Sequence, residues 1–185
     1  MGGKSAAIVL SDATDIPAIA EIQANAIFWN MGENCTANSR IIAHADVYDE
    51  LVAELSRQAA SWKIGNQLDP ETRNGPLISA EHFAKVAGMV DNGKTQGARV
   101  VCGGEGAGGL MFKPTIFADV TRDMDIFQQE IFGPMFERPR AGLRLDPANP
   151  AILAIKADHL HARLHTDAVL QQQSTAWLQM GRRVL

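Results

Sequence analysis

Cys35 sits in the run Phe28-Trp29-Asn30-Met31-Gly32-Glu33-Asn34-Cys35-Thr36-Ala37-Asn38-Ser39-Arg40, just past a Gly-Glu pair. It follows a helical pattern, precedes a strand-like one, and has small and polar neighbours. A nucleophilic thiol needs such a place, because only the thiolate attacks well and a dry apolar core suppresses it. Cys102 is different: it closes the run Ala98-Arg99-Val100-Val101-Cys102 and reads as strand core. His159, His161 and His165 have the spacing by which histidines on a helix can share a zinc ion. No carboxylate or cysteine completes a recognisable ligand set, so they are read as part of a charged tail. Gly103-Gly104-Glu105-Gly106 follows a strand, as a phosphate loop would, but no helix opens after it.

The elements that must position Cys35 alternate in type. Ala6 to Leu10 is a short apolar run, the mark of a buried parallel strand. Ser11 to Asp15 is turn and cap chemistry, with Pro17 in the first helical turn. Ile16, Ile19, Ala20, Gln23, Ala26 and Ile27 continue at helical spacing up to the cysteine run, and Ser39 to Ala43 is the next strand. Asp46 is placed to cap a helix with the apolar face Val47, Leu51, Leu55, Ala59 and Trp62. Residues 63–78 form a loop. Ser79 caps a further helix carrying Phe83, Val86, Ala87 and Val90, and Ile78 and Phe83 are spaced for a hydrophobic staple. The strand at 98–102, a glycine-rich turn at 103–109 and a strand from Pro114 to Ala118 follow. This order predicts an α/β fold: a largely parallel sheet flanked by helices.

Three segments, in order, resemble elements of the aldehyde dehydrogenase superfamily. The cysteine run resembles that family's active-site motif. Met1-Gly2-Gly3-Lys4-Ser5 resembles its Gly-Gly-Lys-Ser element, and Gln128-Gln129-Glu130-Ile131-Phe132-Gly133-Pro134 its Glu-Glu-Ile-Phe-Gly-Pro element. Gly65 to Pro70 and Asn74 to Ile78 are similar to the family's connecting loop, and Lys113 to Phe117 to one of its strands. Gln129 stands where the family carries glutamate, and Glu33 where many members carry glutamine. A weaker likeness in Ile27-Phe28-Trp29-Asn30 points to the aminoaldehyde and γ-glutamyl-aminobutyraldehyde enzymes.

The resemblance implies an NAD(P)-dependent oxidation of a small-molecule aldehyde to a carboxylate. Cys35 would attack the aldehyde carbon to give a thiohemiacetal. Hydride would leave to the cofactor, and the thioester would be hydrolysed. The Cys35 backbone N–H would help hold the oxyanion. Glu130 would hold the nicotinamide ribose, with the Phe132 ring beside it. The family's general-base glutamate would precede Met1, and its dinucleotide-binding half lies upstream of that point. The chain is therefore expected to be a truncated catalytic domain, residues 1–135, that by itself binds neither NAD nor NADP and is inactive. Residues 136–185 are expected to diverge: a loop broken by Pro139, Pro147, Pro150 and interspersed arginines, then a helix from about Ile152. An open sheet edge would favour self-association. The rival readings are a non-catalytic α/β interaction module, or a chain that docks onto a separate N-terminal half and regains function.

Composition narrows the classes. The 185 residues are 46% hydrophobic and 21% charged, ordinary for a globular domain. A net charge of −4 gives no footprint for nucleic acid. No apolar run approaches the length of a membrane span, and no signal-peptide pattern opens the chain, so a cytoplasmic protein with two reduced thiols is expected.

Overall fold

The computed structural model describes residues 2–139. The three histidines of the tail and the helix expected from Ile152 lie outside them. Five strands form the main sheet: β1 (Ala6–Val9), β2 (Arg40–Ala43), β3 (Arg99–Cys102), β6 (Thr115–Val120) and β7 (Met135–Pro139). A two-stranded ribbon, β4 (Gly106–Gly108) with β5 (Met111–Phe112), occupies the expected glycine-rich turn. The helices are α1 (Ile16–Phe28), α2 (Tyr48–Ser61), α3 (Ala80–Thr95) and the short α4 (Asp125–Gln128).

The sheet order is β1-β2-β7-β6-β3. Adjacent strands from β1 to β6 run parallel, and only β3 is antiparallel to its neighbour. The largely parallel α/β expectation therefore holds. Parallel strands need both faces covered, because helical crossovers return the chain across them. Neighbouring strand residues point to opposite faces accordingly. Ile116 and Phe136 join α1 and α2 in one apolar cluster, while Phe117 and Met135 join α3 and α4 in the other.

Helical spacing marked the buried faces. Val47, Leu51, Leu55, Ala59 and Trp62 are all buried, as expected for α2 and its flanks. Asp15 accepts from the Ala18 N–H at 3.0 Å, and Ser79 from the His82 N–H at 3.1 Å, so both caps form where the side-chain chemistry put them. Two local expectations are corrected. Asp46 does not cap α2; it lies in a 3₁₀ turn (Ala45–Val47), and the His44 ring accepts from its N–H instead. Ile78 stays 79% exposed, so it closes no staple over Phe83.

The larger correction concerns the start of the divergent stretch. Residues 136–139, expected as loop, belong to β7, between β2 and β6. The prolines and arginines do not break the strand, because position and partners override propensity. Pro139 is the last residue, where a missing N–H matters least. The Glu137 N–H donates to Ser39 at 2.9 Å. The charged side chains find partners inside: Glu137 pairs with Lys4 at 2.5 Å, and Arg138 stacks on Tyr48.

Candidate active site

The three motif segments each end just before a parallel strand. Gly2-Gly3 precedes β1, the cysteine turn precedes β2, and Glu130 to Pro134 precedes β7. Parallel neighbours start at the same sheet edge, so segments nearly a hundred residues apart meet there. A small cavity at this edge is lined by residues of all three, among them Gly3, Gly32, Asn34, Glu130, Phe132 and Gly133.

Glycine makes the approach this close. A methyl group built on Gly3 would run into the Cys35 carbonyl, and one built on Gly32 into the Gly133 carbonyl. Gly32 also has φ +72°, a conformation that side-chain-bearing residues resist. Backbone therefore rests on backbone at both junctions. The chain enters this region from α1 through a 3₁₀ turn (Trp29–Gly32) in which Asn30 and Met31 adopt left-handed conformations.

Cys35 is exposed at the tip of the next turn. Asn34 builds that turn: its side-chain oxygen accepts from the Thr36 N–H at 3.0 Å and from the Thr36 hydroxyl at 2.9 Å. Cys35 itself does not line the cavity; Asn34 and Ala37 do, on either side of it. Cys102 is half-buried at the end of β3, and burial pushes its thiol up to about 11. Cys102, expected as strand core, is thus only half-buried beside the core, in contrast to the exposed Cys35.

Glu130 and Phe132 lie on the same edge. The Glu130 carboxylate packs against Gly2, and its Oε1 is buried with no hydrogen-bond partner among the described residues. Phe132 has φ +61°, an uncommon and strained state for a bulky residue. Cys35, Glu130 and Phe132 are therefore gathered around one junction.

The sequence did not single out His82. It occupies the first turn of α3, and its Nε2 lies 2.6 Å from the Phe132 carbonyl and 3.4 Å from Glu33 Oε1. Both partners are remote in the chain, so no local pattern could have marked it. The buried Lys4–Glu137 pair was also missed, for the same reason. Burial holds the Lys4 ammonium below its usual range despite Glu137, and pushes the Glu137 carboxyl up to about 7.

These residues fit a dinucleotide only in part. Glu130 offers a carboxylate oxygen without a partner among the described residues, but the glycine-rich turn after β3 leads into β4, not a helix N-terminus. Among the described residues no group of His, Cys, Asp and Glu could hold a metal ion, and no helix is long and apolar enough to cross a membrane.

The family model of the aldehyde dehydrogenase family matches residues 1–137. Among curated proteins, aminoacetaldehyde dehydrogenase of Pseudomonas aeruginosa is 40% identical over 134 residues, covering 72% of this chain and 27% of that protein. Among solved structures, the indole-3-acetaldehyde dehydrogenase of P. syringae, in complex with NAD⁺ and IAA, is 39% identical with a TM-score of 0.73. The match covers 75% of this chain and 29% of that one. The γ-glutamyl-γ-aminobutyraldehyde dehydrogenase of Burkholderia cenocepacia gives 38% identity and a TM-score of 0.72, over 76% of this chain and 29% of that one. The chain thus spans about 27% of the length of the curated relatives it matches.

Proposed function

We propose, from the premise that this chain belongs to the aldehyde dehydrogenase family, that Cys35 is its nucleophile toward an aldehyde. The observation that carries this reading is the meeting of three remote segments around one exposed cysteine turn. The Cys35 thiolate adds to the carbonyl carbon and a C–S bond forms. The π electron pair moves to oxygen, which takes a proton, and the product is a thiohemiacetal. The Cys35 N–H steadies the negative oxygen as it develops. This addition is reversible and oxidises nothing.

A nicotinamide dinucleotide, when bound, supplies the hydride acceptor for oxidation. Glu130 and Phe132 are the groups of this chain that would face it, Glu130 toward the ribose hydroxyls and Phe132 beside the ring. Two side chains do not offset the ordering cost of binding so large a ligand. Residues 2–139 by themselves are therefore read as holding no NAD or NADP and as carrying the reaction to the thiohemiacetal. Oxidation to a carboxylate belongs to a site completed by the further parts of the fold that its longer relatives carry. The aminoaldehyde and γ-glutamyl-aminobutyraldehyde relatives support a substrate of that class.

The test is native alkylation with iodoacetamide, mapped by mass spectrometry. Cys35 should react at least about tenfold faster than Cys102 near neutral pH, because the Cys102 thiolate is scarce and half-buried. Preincubation with a short aldehyde should slow Cys35 alone, with no NADH formed on adding NAD⁺. Labelling of Cys102 first would remove the nucleophile assignment. Micromolar NAD⁺ affinity would overturn the reading of an incomplete cofactor site.

A further inference from the structure

We infer that His82 is a positioning residue that latches the cysteine segment to the segment carrying Phe132. The latch begins with the cap of α3. Ser79 Oγ accepts from the His82 N–H at 3.1 Å, which fixes the first turn and sets the imidazole toward the motif junction. There Nε2–H donates to the Phe132 carbonyl at 2.6 Å, and the two rings meet edge to face with centroids 6.0 Å apart. The same nitrogen lies 3.4 Å from Glu33 Oε1, and the side chains of His82 and Glu33 are only 13% and 11% exposed. Glu33 Oε1 also accepts from the Ile78 N–H at 3.0 Å, one residue before the cap. The N-terminal end of α3 thus grips Glu33, two residues before the nucleophilic position, and Phe132, the residue read as facing the cofactor ring.

Both ends of the latch need such a grip. Phe132 holds a left-handed conformation at φ +61°, which persists only where its surroundings over-determine it. The cysteine segment turns through left-handed Asn30 and Met31, and at Gly32 its backbone rests against the Gly133 carbonyl. A donor held at the Phe132 carbonyl stabilises that twist, and the Glu33 contact makes it depend on the placement of the cysteine turn. His82 touches neither substrate nor cofactor in this arrangement. It acts by keeping Phe132 and Cys35 in fixed relation.

The inference rests on the assignment of Cys35 and Phe132 to the site, and its test does not require aldehyde oxidation. In the full 185-residue chain, His82→Leu removes the donor and His82→Gln keeps an N–H of similar reach. The two readouts are the ratio of Cys35 to Cys102 alkylation by iodoacetamide, and amide hydrogen exchange over residues 131–134. Loss of one hydrogen bond corresponds to about a 3- to 10-fold rise in both for His82→Leu. His82→Gln should return both to within about twofold of the parent, a rescue that simple loss of packing would not give. If His82→Leu fails to fold, Glu33→Gln serves: it keeps an acceptor for the Ile78 N–H, removes the charge facing His82, and should raise the ratio about 2- to 3-fold. An unchanged ratio in either variant, a Gln variant that behaves like Leu, or a parallel rise at Cys102 overturns the latch. If Cys35 is not the faster thiol in the parent, the nucleophile assignment fails, and exchange over 131–134 alone then decides the latch.

Discussion

The junction around Cys35 and the second half of β7 belong to one sheet, yet they are held together in opposite ways. At the junction, glycine, asparagine and serine suit their local tasks. Glycine stands where backbones touch, Asn34 stands where a side chain must build a turn, and Ser79 stands where a helix starts. In β7, Glu137 and Arg138 are both 0% exposed, in positions that an apolar pair would fill more cheaply. In the first region local preference and packing agree at those glycine, asparagine and serine positions, while left-handed Met31 and Phe132 store strain that the surrounding contacts must hold. The second is ordered because its neighbours enclose it, and its charges carry a desolvation penalty that pairing only partly offsets. Agreement between levels and enforcement by surroundings give equally regular backbone. They should respond to substitution with opposite signs.

The largest effect should fall on the consistent region. Gly32→Val places a branched side chain at φ +72° and against the Gly133 carbonyl, which is backbone and has nowhere to move. A loss of at least about 4 kcal/mol in denaturant unfolding is expected. Gly97→Ala is the control. Gly97 has φ +95° but open space around its Cα, so only conformational strain of about 1–2 kcal/mol should appear. If the two variants lose equal stability, close backbone approach is not what fixes the junction.

The same contrast explains what could be read from the sequence. The strands β1 and β2, the buried face of α2 and the caps at Asp15 and Ser79 were legible, because periodicity and cap chemistry act within a few residues. However, β1, expected as a buried strand, lies at the sheet edge with Ile8 43% exposed. The candidate site was read as three separate segments, and their meeting at one sheet edge follows once the strands they precede are known to be parallel. His82 was not legible, since its partners are Phe132 and Glu33, about fifty residues away on either side. Nor was β7. Local rules read Glu137-Arg138-Pro139 as a loop, and only Lys4 and Tyr48, from the far end of the chain and from α2, make the strand tenable.

In the enforced region pH is the sharper probe. Burial raises the folded-state carboxyl of Glu137 from 4.5 to about 7. Below about pH 4.5 the group is protonated in folded and unfolded chains alike, and its contribution is fully present. As pH rises the unfolded chain ionises first, so stability falls and the loss is complete above about pH 7. The expected change across that window is on the order of 3 kcal/mol. Lys4, held low by burial, contributes a slope of the opposite sign between its lowered value and the ordinary lysine range. Glu137→Gln should flatten the slope between about pH 5 and 7, read by urea unfolding at a series of pH values. The slope is the proper readout, because the variant also leaves Lys4 without its counter-charge. An unaltered slope would mean that Glu137 is not the titrating group.

The smallest effect expected is a gain. Arg138 donates from Nη1 to the Tyr48 carbonyl at 3.0 Å and stacks its guanidinium 3.0 Å from the Tyr48 ring centroid. Its Nε and Nη2 are buried with no hydrogen-bond partner among the described residues. Burial lowers its pKa to about 10, against the opposing pull of Tyr48, Asp49 and Asp119. Cation–π stacking and one hydrogen bond are worth about 1–3 kcal/mol together, less than the several kcal/mol of removing a guanidinium from water. Arg138→Met keeps an unbranched side chain of similar reach and sets a polarizable sulfur against the Tyr48 ring. The Tyr48 carbonyl begins α2 and retains its helical acceptor role. Stability should rise by about 1–2 kcal/mol, in contrast to the loss at Gly32. A variant destabilised by more than about 1 kcal/mol would show that Arg138 is well satisfied where it lies. The two regions would then differ in chemistry alone and not in how well sequence and burial agree.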